Sequence, residues 1–79
     1  MSKLKESPWQ KAEKQFERVV RSKMEYEGRK ADVVARMMGI NETTVRKHIK
    51  SPGMIRVTEL RMLKQILKLS DEDIINLIG

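Results

Sequence analysis

The stretch VVARMMGINETTVRKHIKSPG, residues 33–53, decides how this chain folds. Val34 and Met38 stand four residues apart, and past a break Val45 and Ile49 do the same, the spacing of one helix face. The break is Gly39-Ile40-Asn41. Glycine takes the left-handed backbone conformation at little cost, and an asparagine side chain can accept an orphan N–H at a helix start. Two short helices are therefore predicted, over 29–38 and 42–50, joined by three residues. So short a joint forces a sharp crossing, and Ala35, one turn before Gly39, leaves room for close approach. Ile40 and Val45 are expected to plug the angle, with Val34, Met38 and Ile49 beneath.

Working outward, Ser51-Pro52-Gly53 reads as a turn. Upstream, Ser7-Pro8-Trp9-Gln10 combines a cap, a first-turn proline and the glutamine of a capping box. Trp9, Ala12, Phe16, Val19, Val20 and Met24 then form one apolar stripe that stops at Gly28, predicting a helix over 8–27. Downstream, Val57, Leu60, Leu63, Ile66 and Leu67 mark a fourth helix over 57–68. Ser70 followed by Asp71-Glu72-Asp73 opens a fifth, over 71–78, with Ile74, Ile75, Leu77 and Ile78 as its apolar residues. No segment alternates as a strand does. The expected fold is all-α: a compact five-helix bundle over 8–79, preceded by a mobile basic arm over 1–7. Met24, Met37, Met38 and Met62 read as core filler. Trp9 and Tyr26 either pack on the bundle or mark an interface.

Seventy-nine residues suffice for one small core, and without cysteine no disulfide or thiolate metal site can staple it. No apolar run approaches the ~20 residues of a membrane span, and the first residues lack the apolar segment of a secretory signal, so a cytoplasmic protein is expected. The formal charge is +6, unevenly placed. Residues 29–50 carry six Lys/Arg against Asp32 and Glu42, whereas residues 51–79 balance four against four. A basic middle third points toward a polyanionic partner, although a solvated face carries such charge equally well.

The alanine, the turn glycine, the turn isoleucine and the valine of the second helix, at these offsets, make a helix-turn-helix signature. An ordinary helical hairpin is the plainer alternative. The outward side of 42–50 separates the two, because Glu42, Thr43, Arg46, Lys47 and Lys50 lie away from Val45 and Ile49. An arginine such as Arg46 can fork to the O6/N7 edge of guanine, Thr43 can meet a thymine methyl, and Glu42 can accept from a cytosine amino group. Lys47 and Lys50 suit phosphates, which fix register without reading sequence. Asn41 and Thr44, at the helix start, are candidate phosphate contacts beside the first-turn N–H groups.

From about Phe16 to Ile78 the chain resembles the lambda repressor/Cro-like helix-turn-helix domains, including the xenobiotic-response-element-type bacterial regulators. The likeness rests on VVARMMGINETTVRKHIKSPG and on VTELRMLKQILKLSDEDIINLIG, which is similar to the family's closing pair of helices. It implies sequence-specific binding of double-stranded DNA by a small phage-like or bacterial transcription regulator, a repressor, acting as a homodimer on two-fold half-sites. On the family pattern Glu42, Thr43, Arg46 and Lys47 read bases or line the groove. Three positions depart from it. Ala31 stands where a phosphate-binding glutamine is frequent, so that Arg29 and Lys30 would supply that contact. His48 stands in a bulky apolar slot, and Lys68 where the last two helices are usually joined by glycine.

No nucleophile–base pair, phosphate-cradling glycine loop or metal-ligand cluster is visible, so neither an enzyme nor a cofactor or metal requirement is expected, nor a small-molecule substrate. His48, the only histidine, reads as a ring filling that slot rather than as a ligand or pH switch. Two rivals remain. One is a protein-interaction module of antitoxin or antirepressor type; the basic, apolar-poor surface of 42–50 is unlike a protein-binding groove. The other is non-specific nucleic-acid binding by charge, and one Phe, one Tyr and one Trp offer little stacking surface for single strands.

Overall fold

The computed structural model describes residues 7–78, and within them the regular structure is entirely helical. The order is α1 (Pro8–Glu27), α2 (Ala31–Met38), α3 (Glu42–Lys50), a single 3-10 turn (Pro52–Met54), α4 (Val57–Leu67) and α5 (Asp71–Ile78). The arm expected at the N-terminus falls, for residues 1–6, outside the described residues; Ser7 belongs to the α1 cap.

Local chemistry accounts for most boundaries. The Gln10 N–H donates to Ser7 Oγ at 3.3 Å and the Ser7 N–H to Gln10 Oε1 at 2.9 Å, closing the predicted capping box. Ser70 and Asp73 repeat the device at α5, both bonds at 3.0 Å. Gly28 (φ +66) and Gly39 (φ +72) end α1 and α2 in the left-handed conformation. Each is followed by a residue whose N–H reaches back into the helix: Arg29 to the Met24 carbonyl at 2.8 Å, and Ile40 to that of Ala35 at 3.0 Å.

Several boundaries and burials differ from the sequence expectation. The second helix begins at Ala31 rather than 29, with Lys30 extended at its N-cap, because the turn after Gly28 consumes Arg29 and Lys30. Asn41 occupies the α3 N-cap by backbone conformation alone; its side chain makes no cap bond. Ser51-Pro52-Gly53 runs into the 3-10 turn, with Pro52 buried. The fourth helix stops at Leu67, and Lys68 takes the left-handed cap (φ 56, ψ 46).

One core joins all the helices. Phe16 and Val20 from α1 meet Val34, Ala35 and Met38 from α2, Val45 and Ile49 from α3, and Leu63, Ile66 and Leu67 from α4. Leu69, just beyond α4, is buried too, because the turn at Lys68 folds it back. Ile74 and Leu77 of α5 pack on the edge of this core, and α5 lies chiefly along α1. Met37, Met62, Val57, Ile75 and Ile78 are exposed instead of buried, and Trp9 and Tyr26, for which packing and an interface were both open, are exposed as well. Of the four methionines read as filler, only Met38 is core, with Met24 at its margin.

Lys68 is the one described non-glycine residue at positive φ, at the position where the resemblance implies glycine. A left-handed L-residue costs about 1–2 kcal/mol. Its ammonium, on a side chain 73% exposed, lies 3.8 Å from the half-buried Glu27, a long contact of little worth. Lys68→Gly is expected to raise unfolding stability by about 1 kcal/mol in urea melts, and Lys68→Val to lower it.

Candidate nucleic-acid interface

The rotation of α3 about its own axis is set by two side chains. Val45 and Ile49, 2% and 3% exposed, lie among Met38, Ile40, Ile55 and Leu63. With 3.6 residues per turn, the opposite side must carry positions 43, 46, 47 and 50. Thr43, Arg46, Lys47 and Lys50 are all exposed, but Glu42, expected with them, stands three and seven residues from Val45 and Ile49, so it sits at the margin of the packed side and is only partly exposed. Thr44 is half-buried on the flank and Asn41 is exposed at the start of the helix.

Glu42 does not stand free beside Arg46. Its Oε2 accepts from Arg46 Nε at 2.8 Å and from Nη2 at 2.6 Å, an i,i+4 pair with side chains 43% and 66% exposed. The pair narrows the orientations of the guanidinium and leaves Nη1 and Glu42 Oε1 uncommitted among the described residues. Two of the residues expected to read bases are thus one unit in the free chain.

The residues expected to hold phosphates divide. Arg29, Lys30 and Lys50 gather, together with the base-reading candidate Arg46, around an open cleft where the end of α1, the α1–α2 connection and α3 meet. Arg29 Nη1 donates weakly to Met37 Sδ at 3.1 Å, which helps keep Met37 at the surface. Lys30 and Lys50 have no ion-pair partner among the described residues. Lys47, Thr43, Thr44 and Asn41 are not part of the cleft. Sequence reasoning missed Arg21, which lines the same cleft from α1 while its Nε bonds Glu17 at 2.9 Å. The i,i+4 spacing of Glu17 and Arg21 was legible; their nearness to α3 was not.

Beneath the helix, the His48 ring is half-buried as expected but makes a polar contact, Nδ1 lying 3.1 Å from Glu59 Oε1. The same Oε1 accepts the Arg56 N–H at 2.9 Å at the start of α4. Arginine has no acceptor to return the bond, so Glu59 alone closes that helix start. One carboxylate thereby ties α3 to the N-terminus of α4. Among the described residues no group of three or more His, Cys, Asp or Glu is placed to hold a metal, and no helix is long and apolar enough to cross a membrane.

The chain matches no protein-family model, and no curated protein or solved structure is significantly similar to it.

Glu59→Ala removes the acceptor of two donors, His48 and Arg56, whereas Glu59→Gln keeps an oxygen for both. Urea denaturation is expected to show the alanine variant about 1–3 kcal/mol less stable and the glutamine variant closer to the parent. Equal losses in the two would remove the tie between α3 and α4 from this account.

Proposed function

We propose that the chain binds double-stranded DNA in a sequence-dependent way, with α3 lying in the major groove as the second helix of a helix-turn-helix. The observation that carries the reading is the division of α3: Val45 and Ile49 buried, Thr43, Arg46, Lys47 and Lys50 forming one uncovered stripe on the other side. A major groove about 12 Å wide admits a helix presented in this way. Arg46, with Glu42 orienting it, is the candidate for a guanine edge, and Thr43 for a thymine methyl. Lys47 lines the groove. Lys50, Arg29 and Lys30 reach phosphates on one flank, and Asn41 and Thr44 those near the helix start.

Such a module in the cytoplasm acts as a small transcription regulator, a repressor when its site overlaps a promoter. Two copies on two-fold half-sites would cover Ile75 and Ile78, 61% and 74% exposed on α5. Those same residues favour the second reading, an adaptor that binds protein through α5. Light scattering of the chain with and without a two-half-site duplex separates the two. Pairing that Ile75→Glu/Ile78→Glu abolishes supports the dimer, and a persistent monomer on DNA excludes it.

Selection of bound duplexes from a random pool tests the main reading. Arg46→Ala is expected to lose about 1–3 kcal/mol on the selected duplex and to relax preference at one base pair. Lys50→Ala should weaken all duplexes alike and reduce the salt dependence by about one released ion. If Arg46→Ala leaves both affinity and the selected motif unchanged, its base-reading role is wrong.

A further inference from the structure

The cleft beside α3 has a composition that contact with DNA does not require. It is open to solvent and offers about 600 Å³, within the range of small-molecule sites. Its rim carries five cations, Arg21, Arg29, Lys30, Arg46 and Lys50, against a single carboxylate, Glu25. Its floor is apolar, formed by Met24, Ala31 and Ile49. A phosphate needs only the rim, because phosphate oxygens gain nothing from a methionine or isoleucine side chain. An uncharged apolar molecule would need only the floor. Rim and floor together suit a molecule that is both, with a flat or branched hydrocarbon body and an anionic end.

We infer that this cleft is a binding site for a small amphiphilic anion, an aryl or alkyl carboxylate or phosphate. The hydrocarbon part lies on Met24, Ala31 and Ile49. The anionic group accepts charge-assisted hydrogen bonds from Lys30 and Lys50, whose ammonium groups no other described residue engages. Arg21 and Arg46 are held at the rim by Glu17 and Glu42, so their guanidinium groups are oriented before a ligand arrives. Arg46 and Lys50 also belong to the stripe assigned to DNA. A molecule lodged here therefore competes with the duplex, giving the module an effector site within its own core domain. That consequence rests on the DNA reading; the site itself does not.

Backbone amide NMR of the full chain tests the site, with 2-naphthoate, 2-naphthylmethanol and inorganic phosphate as probes. Naphthoate is expected to shift the amides of Gly28 to Ala31, Ile49 and Lys50. It should bind at least about tenfold more tightly than either of the others, the worth of one charge-assisted contact. Arg29→Glu/Lys30→Glu, in the α1–α2 connection where Lys30 is exposed and Arg29 half-buried, should weaken naphthoate about tenfold without moving its other shifts. Phosphate binding as tightly as naphthoate would make the cleft a phosphate seat and overturn the inference. So would naphthylmethanol binding as tightly, or naphthoate shifts centred on Ile75 and Ile78. Naphthoate should also lower affinity for the selected duplex, and unchanged duplex affinity at saturating naphthoate refutes the competition. A chain that takes naphthoate in the cleft but binds no duplex refutes the DNA reading and leaves the ligand site standing.

Discussion

The seating of Val45 and Ile49 in the shared core is the constraint on which everything else depends. Both are almost wholly removed from solvent, and truncating such a side chain typically costs about 1–5 kcal/mol. Because the helix period is fixed, burying these two leaves α3 no freedom to rotate, and its cationic stripe must face outward. The three-residue joint at Gly39 sets where α3 begins, and the His48–Glu59 contact ties its later turns to the start of α4. Charge on α3 is thus displayed as a consequence of apolar packing, not of attraction between charges.

Carboxylates are scarce on that helix. Glu42 is the only acid of α3, and it is turned onto Arg46. An exposed ion pair of this kind adds little to stability. Its effect is to narrow the orientations of a guanidinium that would otherwise sample many rotamers, so less freedom remains to be lost on binding. The cleft extends the pattern toward α1: cations converge from three segments, and the only opposing charge in its lining is Glu25.

Much of this was legible in the residues. Ser7 with Gln10, Ser70 with Asp73, and the glycines at 28 and 39 are local devices whose chemistry acts over three or four positions, and they place helix ends nearly where the structure has them. The periodicity of Val34, Met38, Val45 and Ile49 likewise identified which sides of α2 and α3 are buried. What failed is what depends on neighbours distant in sequence. Met37, Met62, Val57, Ile75 and Ile78 are apolar at helical spacing, yet short helices in a small bundle are covered on one side only, and periodicity cannot say how wide that side is. A lysine in a left-handed cap has no local signature, so Lys68 was visible only as a departure from a family pattern, and Leu69, which it turns inward, was not expected in the core. The approach of Arg21 to α3 and of His48 to Glu59 are tertiary facts with no counterpart in spacing.

The central claim is that the outward stripe of α3 enters the major groove, and guanine N7 lies on the floor of that groove alone. Dimethyl sulfate protection on a selected duplex reads that atom directly. The account predicts that the chain shields a guanine N7 within the selected motif and that Arg46→Ala restores its reactivity while flanking contacts persist. Binding that leaves every guanine N7 fully reactive, or shielding unaffected by loss of Arg46, would contradict it.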